Sequence, residues 1–205
     1  YGLAIKGDPS SGTSLLSTTI QTGMLLARLI TPRNAPMADR DDISGPAFYG
    51  RKIFGFTDNL DGLNRWFSDM SDAERKRLAG LRIHPNRRNP PENPPASTVV
   101  AMDAAGQIWE LPRRLGHNLS QPLNVTRCSS QDPGLNAGSD VVIASASLEV
   151  GFDDPEVAIM LHHKRPMSIS SFIQRKGRAG RRIGTRPWTV VVLSDYGTDR
   201  LAFQS

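Results

Sequence analysis

The sequence predicts an α/β domain in which a parallel, doubly wound sheet carries helices on both faces. Three observations favour this class: short apolar segments that end at small or polar residues, amphipathic segments between them, and a length of 205 residues, which suits one domain with a sizeable core. Strands that alternate with helices favour parallel pairing, and the ligands of such sheets bind at the carboxyl ends of the strands.

The first quarter of the chain is expected to lead into the domain. Leucine and isoleucine recur at helical spacing between residues 13 and 30, and a polar loop continues to about Tyr49. We therefore assign residues 1–48 to an N-terminal helical lead-in and loop, and residues 49–205 to the domain itself.

A strand and two short helices are expected next. Residues 51–57 (RKIFGFT) have the composition of a buried strand, and Asp58 is placed to cap a helix that runs to about Met70. Ser71 and Glu74 have the spacing of a capping box, which predicts that a second helix begins there.

A proline-rich segment then interrupts the regular pattern. Prolines lack a backbone donor, so residues 82–98 are expected to form an exposed insertion. The remaining predicted elements are a short helix over 107–115, strands over 123–127, 140–144, 157–161 and 188–193, and a helix over 168–176.

Basic residues are concentrated in the last quarter of the sequence. The net charge is +5, and eight of the lysines and arginines lie between residues 164 and 186, in a stretch without an acid. Such a block attracts the phosphates of a nucleotide or of a nucleic-acid backbone. A solvated basic face would be the simpler interpretation if the block did not contain a regular pattern of glycines.

Composition gives little support to a secreted or membrane protein. Cys128 is the one cysteine, so no internal disulfide can form, and no apolar run approaches the roughly 18 residues of a membrane helix. The chain opens on Tyr1 without the charged and apolar regions of a signal peptide, so we expect a cytoplasmic protein. Because the chain starts at Tyr rather than Met, we also expect it to be an excerpt of a longer protein.

The most informative segment is residues 174–181 (QRKGRAGR). On a helix, Arg178 and Arg181 would share a face and could converge on one ligand, while Gly177 and Gly180 would let another surface approach closely. Arginine suits a phosphate ligand because its planar fork stays charged and binds oxygens bidentately. This pattern resembles motif VI of superfamily 2 helicases.

A second segment, residues 140–157, resembles motif V of the same helicases. An apolar strand ends at Ser145, and a Gly-apolar-Asp turn follows at Gly151 and Asp153. The resemblance places Ser145 near a phosphate and Asp153 near a ribose hydroxyl. The sequence departs from the family at Ala146, where an acidic residue or Thr-Asp is usual.

Residues 53–58 (IFGFTD) are similar to motif IV, so the three motifs occur in the family's order. The sequence of the motif V segment looks like that of the large DExH-type bacterial helicases related to Lhr. The segment 186–197 resembles the helicase-like subunits of bacterial DNA-modification and phage-defence systems, among them the DpdJ type.

The resemblance implies the second RecA-like domain of an ATP-dependent DNA helicase or translocase. ATP and Mg²⁺ would be bound mainly by a first RecA-like domain, so this chain alone is expected to be inactive; nucleic acid and defence-system subunits are further implied partners. The implied roles are arginine fingers at Arg178 and Arg181, nucleotide contacts at Gln174, Gly151, Asp153 and Gly177, and nucleic-acid contacts at Thr57, Arg127, Ser145 and Ser147. A RecA-like module that binds nucleic acid or a partner without hydrolysis is the alternative, although binding alone does not require both arginines.

Two further patterns are set aside. Residues 7–14 (GDPSSGTS) have P-loop spacing, but Thr13 stands where the lysine is needed and no apolar strand is evident before it, so a P-loop phosphotransferase is disfavoured. His162 and His163 are adjacent on a strand and should point to opposite faces, which makes a poor chelate; no metal site is predicted.

Overall fold

The computed structural model describes residues 1–7, 15–30, 50–75, 122–129, 138–145, 154–181 and 185–204. Within these ranges the chain forms a six-stranded sheet with four helices. In chain order the elements are β1 (Gly2–Lys6), α1 (Leu15–Leu29), β2 (Lys52–Phe56), α2 (Leu60–Arg75), β3 (Val125–Cys128), β4 (Val141–Ala144), β5 (Val157–His163), α3 (Ile169–Lys176), β6 (Trp188–Leu193) and α4 (Gly197–Gln204).

All strand pairs of the sheet are parallel, in the order β1-β6-β5-β2-β4-β3. β2 lies in the middle, where Phe56 is opposite Ala144 of β4 and His162 of β5. Because the strands run in one direction, their carboxyl ends meet at a single edge. The predicted α/β class is confirmed.

Alternating side chains of the central strands build two apolar layers, one on each face of the sheet. Ile53 and Leu161 face α1 and α2, together with Trp66 of α2. Phe54 and Met160 belong to the other layer, which also contains the buried ends of β4 and Ala179. Helices therefore cover both faces, as predicted.

Gly55 allows α2 to lie close against the sheet. A Cβ at this position would come within 2.6 Å of Cη2 of Trp66, whose side chain is fully buried. The glycine inside a strand therefore has a packing reason, and Trp66 is a core residue.

The strand β1 was not predicted, and it joins the first residues of the chain to the sheet. Leu3 pairs with Val190 of β6, while Ile20 and Met24 of α1 lie in the core on the α1/α2 face. The first part of the assigned lead-in thus shares the sheet and the core with residues 49–205. The expectation that no strand precedes Gly7 was wrong, since β1 ends at Lys6.

The predicted break at Ser71 is also wrong, because α2 is continuous through that residue. The reason is that Glu74 does not cap a helix. Its carboxylate accepts two hydrogen bonds from Arg28 of α1, at 2.8 and 2.7 Å, and a third from the Leu123 backbone at 3.0 Å. Since the side chain of Glu74 is only 1% exposed, this ion pair joins α1, α2 and the start of β3 inside the protein.

The residue that caps α2 is Asn59, not Asp58 as predicted. Its Oδ1 accepts from the backbone N–H of Asp61 at 2.9 Å, and the helix begins at Leu60. The predicted loop to Tyr49, the insertion over 82–98 and the helix over 107–115 lie outside the described residues.

Candidate functional site

The helix α3 is bounded by a serine and a glycine. Ser168 is its N-cap, with extended backbone at φ −142° and a hydroxyl that accepts from the Ser171 N–H at 3.0 Å. Gly177 is its C-cap, and the Gly177 N–H reaches the Ile173 carbonyl at 3.0 Å. The predicted helix over 168–176 is therefore confirmed.

Arg178 and Arg181 lie beyond this helix, so the expectation that they share a helix face was wrong. The Arg178 N–H donates to the Arg175 carbonyl at 2.9 Å, which turns the chain away from the helix axis. The Nε of Arg181 donates back to the Gly177 carbonyl at 3.2 Å. Arg178 and Arg181 thus lie on a tight turn, residues 177–181, that folds back over the helix end. We call it the arginine turn.

Gly180 fixes the far side of this turn. Its N–H donates to the Val157 carbonyl at the start of β5, at 3.0 Å, and its φ is +70°, a region that L side chains rarely adopt. A Cβ here would also lie 2.4 Å from Cγ of Pro187. The predicted role of Gly180, close approach of another surface, is thus filled within the chain itself by Pro187.

Gln174 and Gly177, two of the predicted nucleotide contacts, lie on the accessible side of this region. Gln174, Gly177 and Arg181 are exposed, and Arg178 is partly buried. Gly151 and Asp153, the other predicted nucleotide contacts, lie outside the described residues.

Arg175 differs from its neighbours because it points into the protein. It is only 2% exposed, and its guanidinium lies 5.2 Å from the centre of the Phe56 ring and donates to the Asp58 carboxylate. The other oxygen of Asp58 accepts from the Met167 N–H at 3.1 Å. Asp58 therefore holds both the approach to α3 and its last turn. Sequence reasoning missed this pair, whose partners are 117 residues apart.

His162 lies between the sheet and α3 and stays neutral. Its ring stacks on Phe56 with centroids 5.9 Å apart and contacts Phe172 at 5.6 Å, and neither ring nitrogen has a hydrogen-bond partner among the described residues. Burial lowers the pKa of His162 to about 3, with a smaller contribution from the charge of Arg175 that outweighs the opposing effect of Asp58. The ring acts as an apolar spacer.

His163 faces the opposite side of the sheet, as predicted. Its Nδ1 lies 2.9 Å from the Thr19 hydroxyl of α1, and its ring is 6.1 Å from that of Trp66. Burial lowers its pKa to about 4, and the nearby charge of Lys164 adds to that effect.

Two of the predicted nucleic-acid contacts lie at the carboxyl edge of neighbouring strands. Thr57 follows β2 and its N–H donates to the Ala144 carbonyl at 3.1 Å, while Ser145 follows β4 and its N–H donates to the Cys128 carbonyl at 3.3 Å. The structure thus brings the ends of β2 and β4, where motifs IV and V were expected, to one edge. Ser147 lies outside the described residues.

Arg127 is placed apart from these two residues. It lies within β3 with its guanidinium 5.3 Å from the centre of the Phe67 ring, and it donates to Asn64 Oδ1 of α2 at 2.9 Å. Its contacts are therefore on the α1/α2 face rather than at the strand ends.

A second anchor at the carboxyl edge was not predicted. Asp199, near the start of α4, is 6% exposed and accepts from the Arg165 N–H at 3.2 Å and from the N–H and hydroxyl of Ser194 at 3.1 and 3.0 Å. It ties the ends of β5 and β6 together. Beside it, Lys164 is exposed and has a φ of 73°, which is uncommon for a residue with a side chain.

Three apolar side chains just before and within α3 are exposed. Met167 is 80% exposed, Ile169 79% and Ile173 61%. We call them the α3 apolar strip. All three precede Gln174 in sequence, and Ile173 is its direct neighbour, so exposed apolar side chains accompany the polar residues of this region.

Two absences concern only the residues that the structure describes. None of the helices there is long and apolar enough to cross a membrane. In the same ranges no three His, Cys, Asp or Glu side chains are grouped so that they could hold a metal ion.

Comparison with known proteins relates this region to helicases. Residues 130–183, which include all of α3 and the arginine turn, match the family described as "Helicase conserved C-terminal domain". The arginine-bearing segment is thus similar to part of a helicase C-terminal domain. Over 57 residues the chain is 33% identical to proteins named ATP-dependent DNA helicase Q1 in Caenorhabditis briggsae and Caenorhabditis elegans.

The fold is RecA-like. It is similar to that of the helicase Lhr of Mycobacterium smegmatis, in a structure bound to ssDNA and AMP-PNP, with a TM-score of 0.52 and 15% identity over 97% of this chain. The chain spans a small part of these proteins: the match covers 9% of each Caenorhabditis protein and 20% of the Lhr chain.

Proposed function

We propose that this chain is the second motor domain of an ATP-dependent superfamily 2 helicase or translocase, and that Arg178 and Arg181 act on the phosphates of ATP. The observation that supports this most is the arginine turn, which is held at one end by Arg175 and at the other by Gly180. A turn fixed at both ends limits the motion of the guanidinium groups that it carries. Such preorganisation is what stabilisation of developing charge requires.

In this proposal ATP lies in a cleft between this chain and a first RecA-like domain. That other domain would supply the lysine P-loop and the carboxylates for Mg²⁺, an ion that neutralises phosphate charge when bound. From this chain, Arg178 and Arg181 would donate to the γ-phosphate, and Gln174, Gly177, Gly151 and Asp153 would position the nucleotide. Arginine fingers raise phosphoryl-transfer rates by about 10³ to 10⁵.

The α3 apolar strip fits a surface that another domain covers. Exposed apolar side chains that cluster beside polar functional residues are typical of interaction sites. The strip adjoins Gln174, which is one of the proposed nucleotide contacts. We therefore assign it to the contact with the first RecA-like domain in the ATP-bound, closed arrangement.

The carboxyl edge of β2 and β4 is the proposed track for nucleic acid. Thr57 and Ser145 lie there; Ser145 is partly exposed, whereas Thr57 is only 3% exposed, and Ser147 and Arg127 are the other predicted contacts. Contacts of this kind bind the phosphate backbone without reading bases. The proposed substrate is DNA. The proposed setting is a cytoplasmic bacterial DNA-modification or defence system of the DpdJ type, and the proposed partners are subunits of that system.

The alternative is a RecA-like module that binds nucleic acid or a partner but takes no part in hydrolysis. The arginine turn favours the motor. Binding of a nucleic-acid backbone does not require two arginines on a turn that is anchored at both ends.

Substitution of Arg178 in the full-length protein separates the two functions. Arg178→Lys keeps the charge but loses the planar fork, so ATP binding should change little while nucleic-acid-stimulated turnover falls by about two orders of magnitude or more. Arg181→Lys should behave alike, and the double variant should be little worse than either. Arg200→Lys, on the exposed part of α4, is the matched control and should be silent. Turnover that survives Arg178→Lys while nucleic-acid binding weakens would favour the binding module.

A further inference from the structure

We propose that Asp58 is a positioning residue for hydrolysis: through Arg175 it fixes the turn that carries Arg178 and Arg181. This inference rests on the proposed function. It assigns a role in the ATP site to a residue at the end of β2, on the strand edge where the nucleic-acid track is proposed.

The side chain of Arg175 is buried, although it carries a charge. A guanidinium that is 2% exposed requires a charged or polar partner, since an unpaired charge in the interior is strongly unfavourable. Asp58 supplies the carboxylate, and the Phe56 ring supplies a face 5.2 Å away. The position of this side chain is thus determined by groups on β2 and just after it.

The backbone of Arg175 is hydrogen-bonded to the start of the arginine turn. The Arg175 carbonyl accepts from the N–H groups of both Gly177 and Arg178. These two hydrogen bonds set where the helix ends and in which direction the chain leaves it. A shift of Arg175 would therefore move Arg178 directly.

Asp58 makes a second contact, just before the start of α3. Its other oxygen accepts from the Met167 N–H at 3.1 Å, one residue before the N-cap Ser168. One carboxylate therefore restrains α3 at both of its ends. With Gly180 held by Val157 and Pro187, the arginine turn is fixed between β2 and β5.

The test uses Asp58→Asn in the full-length protein. The amide can still accept from Met167, but it no longer neutralises Arg175. We expect the turnover number to fall about 10- to 100-fold at unchanged KM for ATP, measured well below the unfolding temperature of the variant. Asp58→Glu should recover part of the loss. The control Asp61→Asn removes a carboxylate three residues away whose ion pair with Arg65 is mostly exposed, and should leave turnover unchanged.

A double variant separates positioning from stability. In Asp58→Asn/Arg175→Met no buried charge is left unpaired, so thermal stability should return towards the original value. Positioning predicts that turnover stays low; turnover that recovers together with stability would show that the pair only stabilises the fold and would overturn the inference.

Failure of the inference and failure of the proposed function give different results. Should Arg178→Lys abolish turnover while Asp58→Asn leaves it intact, Asp58 has no positioning role but the proposed function stands. Turnover unaffected by Arg178→Lys would refute the function itself, and with it the inference. If both hold, adding Asp58→Asn to Arg178→Lys should cause little further loss, since both act on one step.

Discussion

The backbone of Gly180 lies against the ring of Pro187, so close that a Cβ on the glycine would be 2.4 Å from Cγ of the proline. The same glycine has a φ of +70° and donates to the Val157 carbonyl. Two independent constraints, backbone conformation and space, therefore require glycine at this position.

Gly180→Ala should destabilise this chain by about 2–4 kcal/mol, because strain at positive φ and steric overlap add. Urea unfolding at equilibrium measures the loss. Gly197→Ala is the matched control: Gly197 has a φ of +59° but open space around its Cα, so about 1 kcal/mol of conformational strain alone is expected. Equal losses in the two variants would contradict a role for Pro187.

Glu74→Gln should be among the costly single changes in the described part of the chain. It leaves the charge of Arg28, whose side chain is 6% exposed, without its carboxylate, and such a loss costs about 3–5 kcal/mol. Asp61→Asn breaks an exposed ion pair with Arg65 and should cost less than about 1 kcal/mol. Thermal and urea unfolding of both variants would make the comparison, and similar losses would argue against a buried pair.

Stability should fall as the pH drops below about 6.5, where the two strand histidines charge in the unfolded chain. Their folded pKa values are lowered to about 3 and about 4, so the unfolded state binds more protons in this window. From pH 7.5 to 5.5 each histidine should remove about 1.4 kcal/mol, and the loss should continue until the folded pKa is passed.

His162→Phe tests this assignment because it removes one of the two titrating rings. The pH dependence of its unfolding free energy should be weaker by about 1.4 kcal/mol over the same interval, whatever its stability at pH 7.5. An unchanged pH dependence would mean that His162 can be protonated in the folded protein.

Ile173→Glu places a charge in the α3 apolar strip. In the full-length protein we expect nucleic-acid-stimulated turnover to fall at least tenfold, while the stability of this chain changes by no more than about 0.5 kcal/mol because the side chain is 61% exposed. Leu201→Glu is the control, since Leu201 of α4 is 67% exposed. Equal effects of the two changes on turnover would remove the strip from the proposed domain contact.

Binding of this chain to nucleic acid should be weak, independent of sequence and strongly dependent on salt. Each phosphate neutralised by a lysine or arginine releases counterions, so log affinity should fall linearly with log salt concentration. Fluorescence anisotropy with labelled single strands at roughly 50–200 mM salt measures the slope. Tight binding that ignores salt would contradict the proposed backbone track.

The apolar strands and the helix before the arginines could be predicted because their signals are local. The segment that forms β6 was predicted at its observed bounds, and Ser168 marked the start of α3. β1 was missed because its apolar run, Leu3 to Ile5, is only three residues long and mostly exposed. Local composition carries little information on such an edge strand.

Two of the errors have a common physical origin, because they depend on contacts between distant parts of the chain. Asp58 and Glu74 stand at positions that fit helix-capping motifs. Each carboxylate instead accepts hydrogen bonds from a buried arginine, Arg175 for Asp58 and Arg28 for Glu74. The helix interpretation of Arg178 failed for a different reason. Spacing alone could not show that α3 ends at Gly177.

The pairing of β1 with β6 has a consequence for the order of folding. Leu3 is opposite Val190, so this strand pair closes one of the longest loops that the chain can form. Closing a long loop costs entropy, and pairings of high sequence separation form slowly. During synthesis β1 is made well before β6, so it has no partner at this edge until the residues between them have been translated. Completion of the sheet at this edge is therefore a late step in the folding of this domain.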